Sequence, residues 1–200
     1  MTVEKDTTKS PSDEVLIKRF QDGDMYAYDL LVKRYKDPLM NFAYRFLGNT
    51  EEAEDVVQET FLRLYRNKNA YRQIAKFSTW IYTITGNLAK TELRKRKRRK
   101  LMSISDLGFE EKEYEIEDTK ADTEQGAESA LQEKYIQKAI DELPPRFKQV
   151  IILRDIQELS YEEVGKIIKA PLGTVKSRLN RARLKLQEKL ESIWEKQPES

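Results

Sequence analysis

Two hundred residues allow one or two small domains, and a composition 38% hydrophobic and 36% charged gives them modest cores under a heavily charged surface. With no cysteine and no histidine, disulfides, Cys/His zinc sites and Ser-His or Cys-His catalysis are excluded. The net charge is only +2, so a polyanionic partner must be met by charges segregated into blocks.

The chain opens with a polar tail, residues 1–11, expected to be disordered. Ser12 or Asp13 then caps a helix with Val15, Leu16 and Phe20 inward, ended by Asp22-Gly23. A second helix starts at Asp24 and carries Tyr28, Leu31, Val32 and Tyr35. Asp37-Pro38 is expected to restart the chain, because proline suits a first helical position. Leu39, Phe42, Ala43, Phe46 and Leu47 form the next apolar face, closed by Gly48.

Asn49-Thr50 caps EEAEDVVQETFLRLYRN, whose core stripe is Ala53, Val57, Phe61 and Leu64. Glu51, Glu52, Asp55, Gln58, Glu59 and Leu62 run down or near the other side. Carboxylates in a first turn favour the helix dipole, which accounts for Glu51 and Glu52 but not for Asp55 and Glu59 further in. A polar loop with Tyr71 leads to a helix from Phe77 to about Lys100. Its core face is Phe77, Ile81, Ile84 and Leu88, and a second stripe carries Trp80, Thr83, Asn87 and Thr91. The helix ends in seven consecutive cations, Arg94 to Lys100. So dense a run repels itself unless a polyanion neutralises it. Its attachment to a helix bearing Trp80, Tyr82 and Asn87 points to unpaired nucleic acid, where aromatics stack on bases and cations follow phosphates.

Residues 101–127 are acidic and poor in apolar side chains, which reads as a flexible linker between domains at 12–100 and 128–196. Order returns with Leu131, Tyr135, Ala139, Ile140 and Leu143, stopped by Pro144-Pro145, and continues with Phe147, Val150, Ile151, Leu153 and Ile156. Ser160 and Glu163 form a capping box for a short helix. APLG, residues 170–173, breaks it, and from Thr174 the apolar residues Val175, Leu179, Ala182, Leu186 and Leu190 mark one face of a long helix. Thr174, Lys176, Ser177, Arg178, Asn180, Arg181 and Arg183 lie on or beside the opposite face, interrupted by Leu184. Short polar groups and an arginine for base edges, with cations on the rims for phosphates, suit a recognition helix in a helix-turn-helix. The fold class is therefore all-α: two small helical domains joined by an acidic linker, the second a four-helix domain with a helix-turn-helix. No apolar run approaches a membrane span and the N-terminus has no signal-peptide core. A cytoplasmic protein without membrane insertion is expected.

Four pieces together resemble the extracytoplasmic-function (ECF) sigma factors of the sigma-70 family. They are DEVLIKRFQDGDMYAYDLLVKRY at 13–35, D-x-x-Q-E-x-F at Asp55, Gln58, Glu59 and Phe61, FSTWIYTITGNLAKTELRKRKR at 77–98, and LPPRFKQVIILRDIQELSYEEVGKIIKAPLGTVKSRLNRARLKL at 143–186. The resemblance implies a transcription initiation factor, without catalysis, cofactor or metal, whose partners are core RNA polymerase and promoter DNA. It implies that Asp55, Gln58, Glu59 and Leu62 meet the clamp helices of the largest polymerase subunit, and that the second domain docks on the flap of the next subunit. It implies that the −10 strand is held by Asn87 with the loop 69–77, where Tyr71, Trp80, Tyr82, Thr91, Arg94 and Arg96 are the further expected contacts. The −35 duplex is read through Lys176, Ser177, Asn180 and Arg181. The linker would follow the RNA exit path, and an anti-sigma factor is an expected further partner.

Two rivals remain on the residues alone. One is a helix-turn-helix regulator that needs no polymerase. The other is an all-α pyrophosphohydrolase holding Mg²⁺ with Glu51, Glu52, Asp55 and Glu59.

Overall fold

The computed structural model describes residues 10–106 and 124–194, with side-chain surroundings for 10–102 and 130–193. Among them are eight α-helices and no strand. The N-terminal bundle holds α1 (Asp13–Gln21), α2 (Met25–Leu47), α3 (Thr50–Arg66) and α4 (Phe77–Asp106), with a 3-10 turn at Lys68–Ala70. The C-terminal bundle holds α5 (Glu124–Asp141), α6 (Pro145–Ile151), α7 (Tyr161–Ile168) and α8 (Leu172–Trp194).

The starts of the helices follow local chemistry. Ser12 accepts from the Val15 amide, Asp24 from that of Ala27 and Asn49 from that of Glu52, each satisfying a donor that the first turn leaves without a partner. Ser160 and Glu163 make both bonds of the capping box, at 3.2 and 2.9 Å. Gly48, at φ +68°, ends α2 in the left-handed conformation that glycine adopts without strain.

Pro38 does not restart the chain. It sits inside α2, a single helix of 23 residues. Leu31, Tyr35, Leu39, Phe42 and Phe46 are all buried and follow one another at helical spacing across the proline. Burial of that continuous stripe outweighs the one backbone bond that proline removes. The acidic linker is also shorter than expected: α4 runs on to Asp106 and α5 begins at Glu124. The acidic residues between these helices lie outside the described residues, as do residues 1–9 of the tail. Ser10 and Pro11 are tied down, since Arg34 donates to the Ser10 hydroxyl at 2.8 Å and to the Pro11 carbonyl at 2.9 Å.

The second helix of the helix-turn-helix begins at Leu172, before Thr174, and Gly173 lies inside its first turn. The left-handed residue of the turn is Lys169, at φ +55°. The glycine that matters is Gly165, where a Cβ would come within 3.0 Å of the Ala170 carbonyl oxygen. It lets the turn fold closely over α7.

Phe20, Phe42, Phe46, Phe77 and Ile81 are fully buried in the first bundle, and Val150, Ile152, Val164 and Val175 in the second. The two cores are continuous. α2 touches α5 and α6, and α4 touches α7, so the bundles share one apolar cluster.

Candidate polymerase and promoter interfaces

Three surfaces carry the residues singled out above. On α3, Asp55 and Gln58 are exposed, and Leu62 is 47% exposed beside Tyr65 at 49%. Glu59 is half-buried and ion-paired with Arg63 at 2.8 Å. The face is acidic at its start and apolar at its end. Glu52 belongs elsewhere, because Arg96 and Arg99 of α4 converge on it. Among the described residues no cluster of carboxylates is placed to hold a metal ion.

The second surface is α4 with the loop before it. Glu14 of α1 accepts from the Phe77 amide at 3.3 Å, which fixes the start of the helix. Gln21 donates to the carbonyls of Lys68 and Tyr71, and Lys68 donates to that of Phe20, so the loop is pinned to α1. Asn87, Thr91 and Arg94 are exposed, one turn apart on one side of the helix. Thr91 donates to the Asn87 carbonyl at 2.9 Å, and Arg94 to the Lys90 carbonyl at 3.3 Å. Trp80 is half-buried, its ring 5.5 Å from that of Tyr71 and 6.1 Å from that of Phe77.

Three expected strand contacts sit differently. Tyr71 is 6% exposed and donates to the Ala75 carbonyl at 2.9 Å; burial raises its pKa. Tyr82 is 4% exposed and donates to Gln157 at 2.6 Å, and its pKa is also raised by burial. Both are wall residues here, with no ring face open for stacking. Arg96 donates to Glu52 and to the Leu47 carbonyl at 3.0 Å, so it braces α4 against α2 and α3. The exposed cations of the run include Arg94, Lys97, Arg98 and Lys100.

The third surface is the outer face of α8. Lys176, Ser177, Asn180 and Arg181 are exposed, with Thr174 and Arg178 half-buried at its edges. Val175, Leu179 and Ala182 are buried beneath, so the helix presents one polar side outward. Ser177 donates to the Thr174 carbonyl, and the Lys176 ammonium lies 5.9 Å from the Tyr161 ring centre. Arg183 departs from expectation: it grips Asp155 with two bonds, at 2.8 and 2.6 Å, which holds α8 on its own bundle. Leu184 is 54% exposed.

Glu163, the capping carboxylate of α7, also reaches Lys76 in the loop before α4, at 3.0 Å. Burial alone would raise its pKa. The Ser160 amide and the Lys76 ammonium outweigh that and hold it below the ordinary glutamate value. Lys76 is raised in turn by the same bond. Lys90 is lowered, by burial first and then by Arg94 and Arg178. The capping box is legible in the sequence, but its second partner is not, because nothing local marks Lys76.

Comparison with known proteins places both bundles. Residues 31–99 match the model for sigma-70 region 2, and residues 133–186 that for sigma-70 region 4. The chain is 37% identical over 179 residues to the ECF RNA polymerase sigma factor SigW of Bacillus subtilis, covering 88% of this chain and 96% of that one. It is 34% identical over 185 residues to the RNA polymerase sigma-H factor of Pseudomonas aeruginosa, covering 90% and 95%. Among solved structures, the sigma factor RpoE of Bartonella quintana, determined with the anti-sigma factor NepR, is similar at a TM-score of 0.63 and 25% identity, covering 82% of this chain and 96% of that one. CnrH in complex with the cytosolic domain of CnrY shares the fold at a TM-score of 0.67 and 22% identity, covering 91% and 99%.

Proposed function

The chain belongs to the ECF sigma factors of the sigma-70 family, and from that premise we infer how its three surfaces divide the work of initiation. As a sigma factor it binds core RNA polymerase and directs promoter recognition and transcription initiation. The observation that carries this is identity spread over nearly the whole chain, with both regions matched in order.

The α3 face is the polymerase surface. Asp55 and Gln58 offer acceptors to basic partner groups, and Leu62 with Tyr65 supplies apolar area beside them. Thr91, Arg94 and the exposed cations after it follow the phosphates of the melted −10 strand, with Asn87 receiving a flipped base. Flipping costs a few kcal/mol, so a walled pocket must offset it. Trp80, Tyr71 and Phe77 build that wall as interlocked rings. The outer face of α8 reads the −35 duplex, with Arg181 and Asn180 at base edges and Lys176 and Arg178 toward phosphates.

The protein acts as an initiation factor without catalysis of its own, in the cytoplasm where polymerase works. An anti-sigma factor that covers the polymerase surfaces is the expected regulator. The similar sigma factor RpoE of Bartonella quintana was solved with the anti-sigma factor NepR.

Run-off transcription with purified core polymerase over a promoter library tests the reading. Initiation at templates sharing a −10 and a −35 element is expected. Tight sequence-specific binding by the protein alone would favour a polymerase-independent regulator. Mg²⁺-dependent nucleotide hydrolysis abolished by Asp55→Ala would favour an enzyme.

A further inference from the structure

The outer face of α8 carries one side chain that can neither hydrogen-bond a base edge nor pair with a phosphate. Leu184 is 54% exposed, among Asn180, Arg181 and Lys185, which are exposed and polar. A single exposed leucine signals nothing by itself. Its direction does. At about 100° per residue, Leu184 points within about 20° of Ser177, between the directions of Asn180 and Arg181. Ser177, Asn180, Arg181 and Leu184 thus form one stripe at i, i+3, i+4 and i+7. Arg183, next in the chain, grips Asp155 at 2.8 and 2.6 Å, which fixes the rotation of this turn and keeps Leu184 outward.

The surroundings fit a duplex better than a protein. A protein-docking patch is a contiguous apolar area. The apolar hollow of this bundle, lined by Ile136, Ile140, Ile151, Leu186 and Leu190, opens on another side of α8, and Leu184 is no part of its wall. Within α8 the neighbours of Leu184 on its own face are all polar. No carboxylate occurs from Leu172 to Gln187, while Lys176, Arg178, Arg181 and Lys185 are spread along that stretch. The first carboxylate, Glu188, comes one turn beyond Leu184 and points the same way. Phosphates are therefore attracted along the helix as far as Leu184 and repelled after it. Leu184 lies about 10 Å beyond Ser177 and about 4.5 Å beyond Arg181 along the axis, roughly three base-pair rises and one.

In the major groove thymine presents a methyl group, and an apolar side chain meets it without leaving a donor or acceptor unpaired. Against the other bases a leucine would cover hydrogen-bonding groups that water satisfies. We propose that Leu184 is a specificity-determining residue of the −35 contact, packing on the C5-methyl group of one thymine within about two base pairs of the base that Arg181 reads. The proposal rests on the sigma-factor reading for the duplex that α8 meets.

Replacing thymine by deoxyuridine deletes that methyl group and leaves the hydrogen-bonding edges unchanged. In a promoter at which the full chain initiates with core polymerase, each thymine of the −35 element is replaced in turn, on either strand, and holoenzyme–promoter affinity is measured. One replacement is expected to weaken binding by the parent about fourfold, the worth of one buried methyl. The same replacement should leave Leu184→Ala unaffected, and Leu184→Ala should lose the thymine preference at that position in the promoter library. Leu184→Met, which keeps an apolar side chain, should retain the sensitive thymine. No sensitive thymine in the parent overturns the contact, and so does an equal loss in Leu184→Ala or a loss of the sensitivity in Leu184→Met. Failure of Leu184→Ala to co-purify with core polymerase also overturns it, by making Leu184 a protein contact. If the parent chain directs no initiation with core polymerase, the sigma-factor reading falls. The same replacements, in a duplex that the full chain alone selects from a random pool at low salt, then judge Leu184 by the same outcomes, and selection of no duplex overturns it.

Discussion

Helices α4 and α8 both carry cations, and the proposed function gives both a nucleic-acid strand to read, yet their settings are opposite. α4 is walled in: Phe77, Ile81, Tyr82, Thr85 and Ala89 are buried, and it touches α1, α2, α3 and α7. α8 stands proud over its first turns, with Val175, Leu179 and Ala182 beneath and Lys176, Ser177, Asn180 and Arg181 outward. Capturing an unstacked base takes walls, because the site must replace stacking that the base has lost. Reading a duplex takes a protruding face, because the major groove admits a helix from one side.

The largest expected effect breaks the walled side. Phe77 is fully buried among Tyr35, Tyr71 and Trp80, so Phe77→Ala should cost about 3–5 kcal/mol by urea unfolding. Leu172→Ala, at an exposed position on α8, should stay within about 0.5 kcal/mol. Next, Asn87→Ala should leave co-purification with core polymerase intact and lower permanganate reactivity of the −10 region, by about 1–3 kcal/mol of lost contact. Unchanged reactivity would remove Asn87 from the pocket. Arg181→Ala should cost about 1–3 kcal/mol in holoenzyme–promoter affinity and relax preference at one upstream position. A uniform loss over all sequences would make it a phosphate contact. Arg183→Ala sharpens the contrast. It should leave sequence preference alone and lower stability by about 0.2–1 kcal/mol, since its partner is Asp155.

The smallest effect is one of pH. Glu163 has a lowered pKa in the folded protein, so its contribution is complete above the unfolded value and fades as pH falls through the folded one. Glu163→Gln, which keeps the capping acceptor, should flatten the acid limb of the melting-temperature profile. A profile parallel to that of the parent would show that the charge adds nothing.

What was legible in the sequence was what adjacent residues decide. Ser12, Asp24, Asn49 and the Ser160–Glu163 box announce helix starts because each bond closes within three residues. The exposed face of α8 follows from helical period alone. The break expected at Pro38 failed because a local cost was weighed without the stripe that runs past it. Arg96 and Arg183 look like phosphate contacts in the sequence because a cation at a helix edge has the same pattern whatever it faces. The partners they meet in the structure, Glu52 and Asp155, lie 44 and 28 residues away, beyond what that pattern reaches. The burial of Tyr71 and Tyr82 is hidden from the sequence for a similar reason, since periodicity shows which side of a helix is apolar but not how much neighbouring elements cover.

Between α6 and α7 the chain makes a π-helical turn, Ile152–Ile156, in which the Gln157 amide reaches five residues back to the Ile152 carbonyl at 2.9 Å. Such a turn holds one residue more than an α-helix would. The extra residue is taken up inside the turn, so the segments on either side keep nearly the alignment an uninterrupted α-helix would give them. At its end stands Gln157, whose side chain meets Asn41 and Tyr82 of the other bundle. Taking one residue out of Ile152–Ile156 would therefore restore an ordinary helix with little change of direction. The width of this turn is a place where the chain can lose a residue without changing how the helices before and after it point.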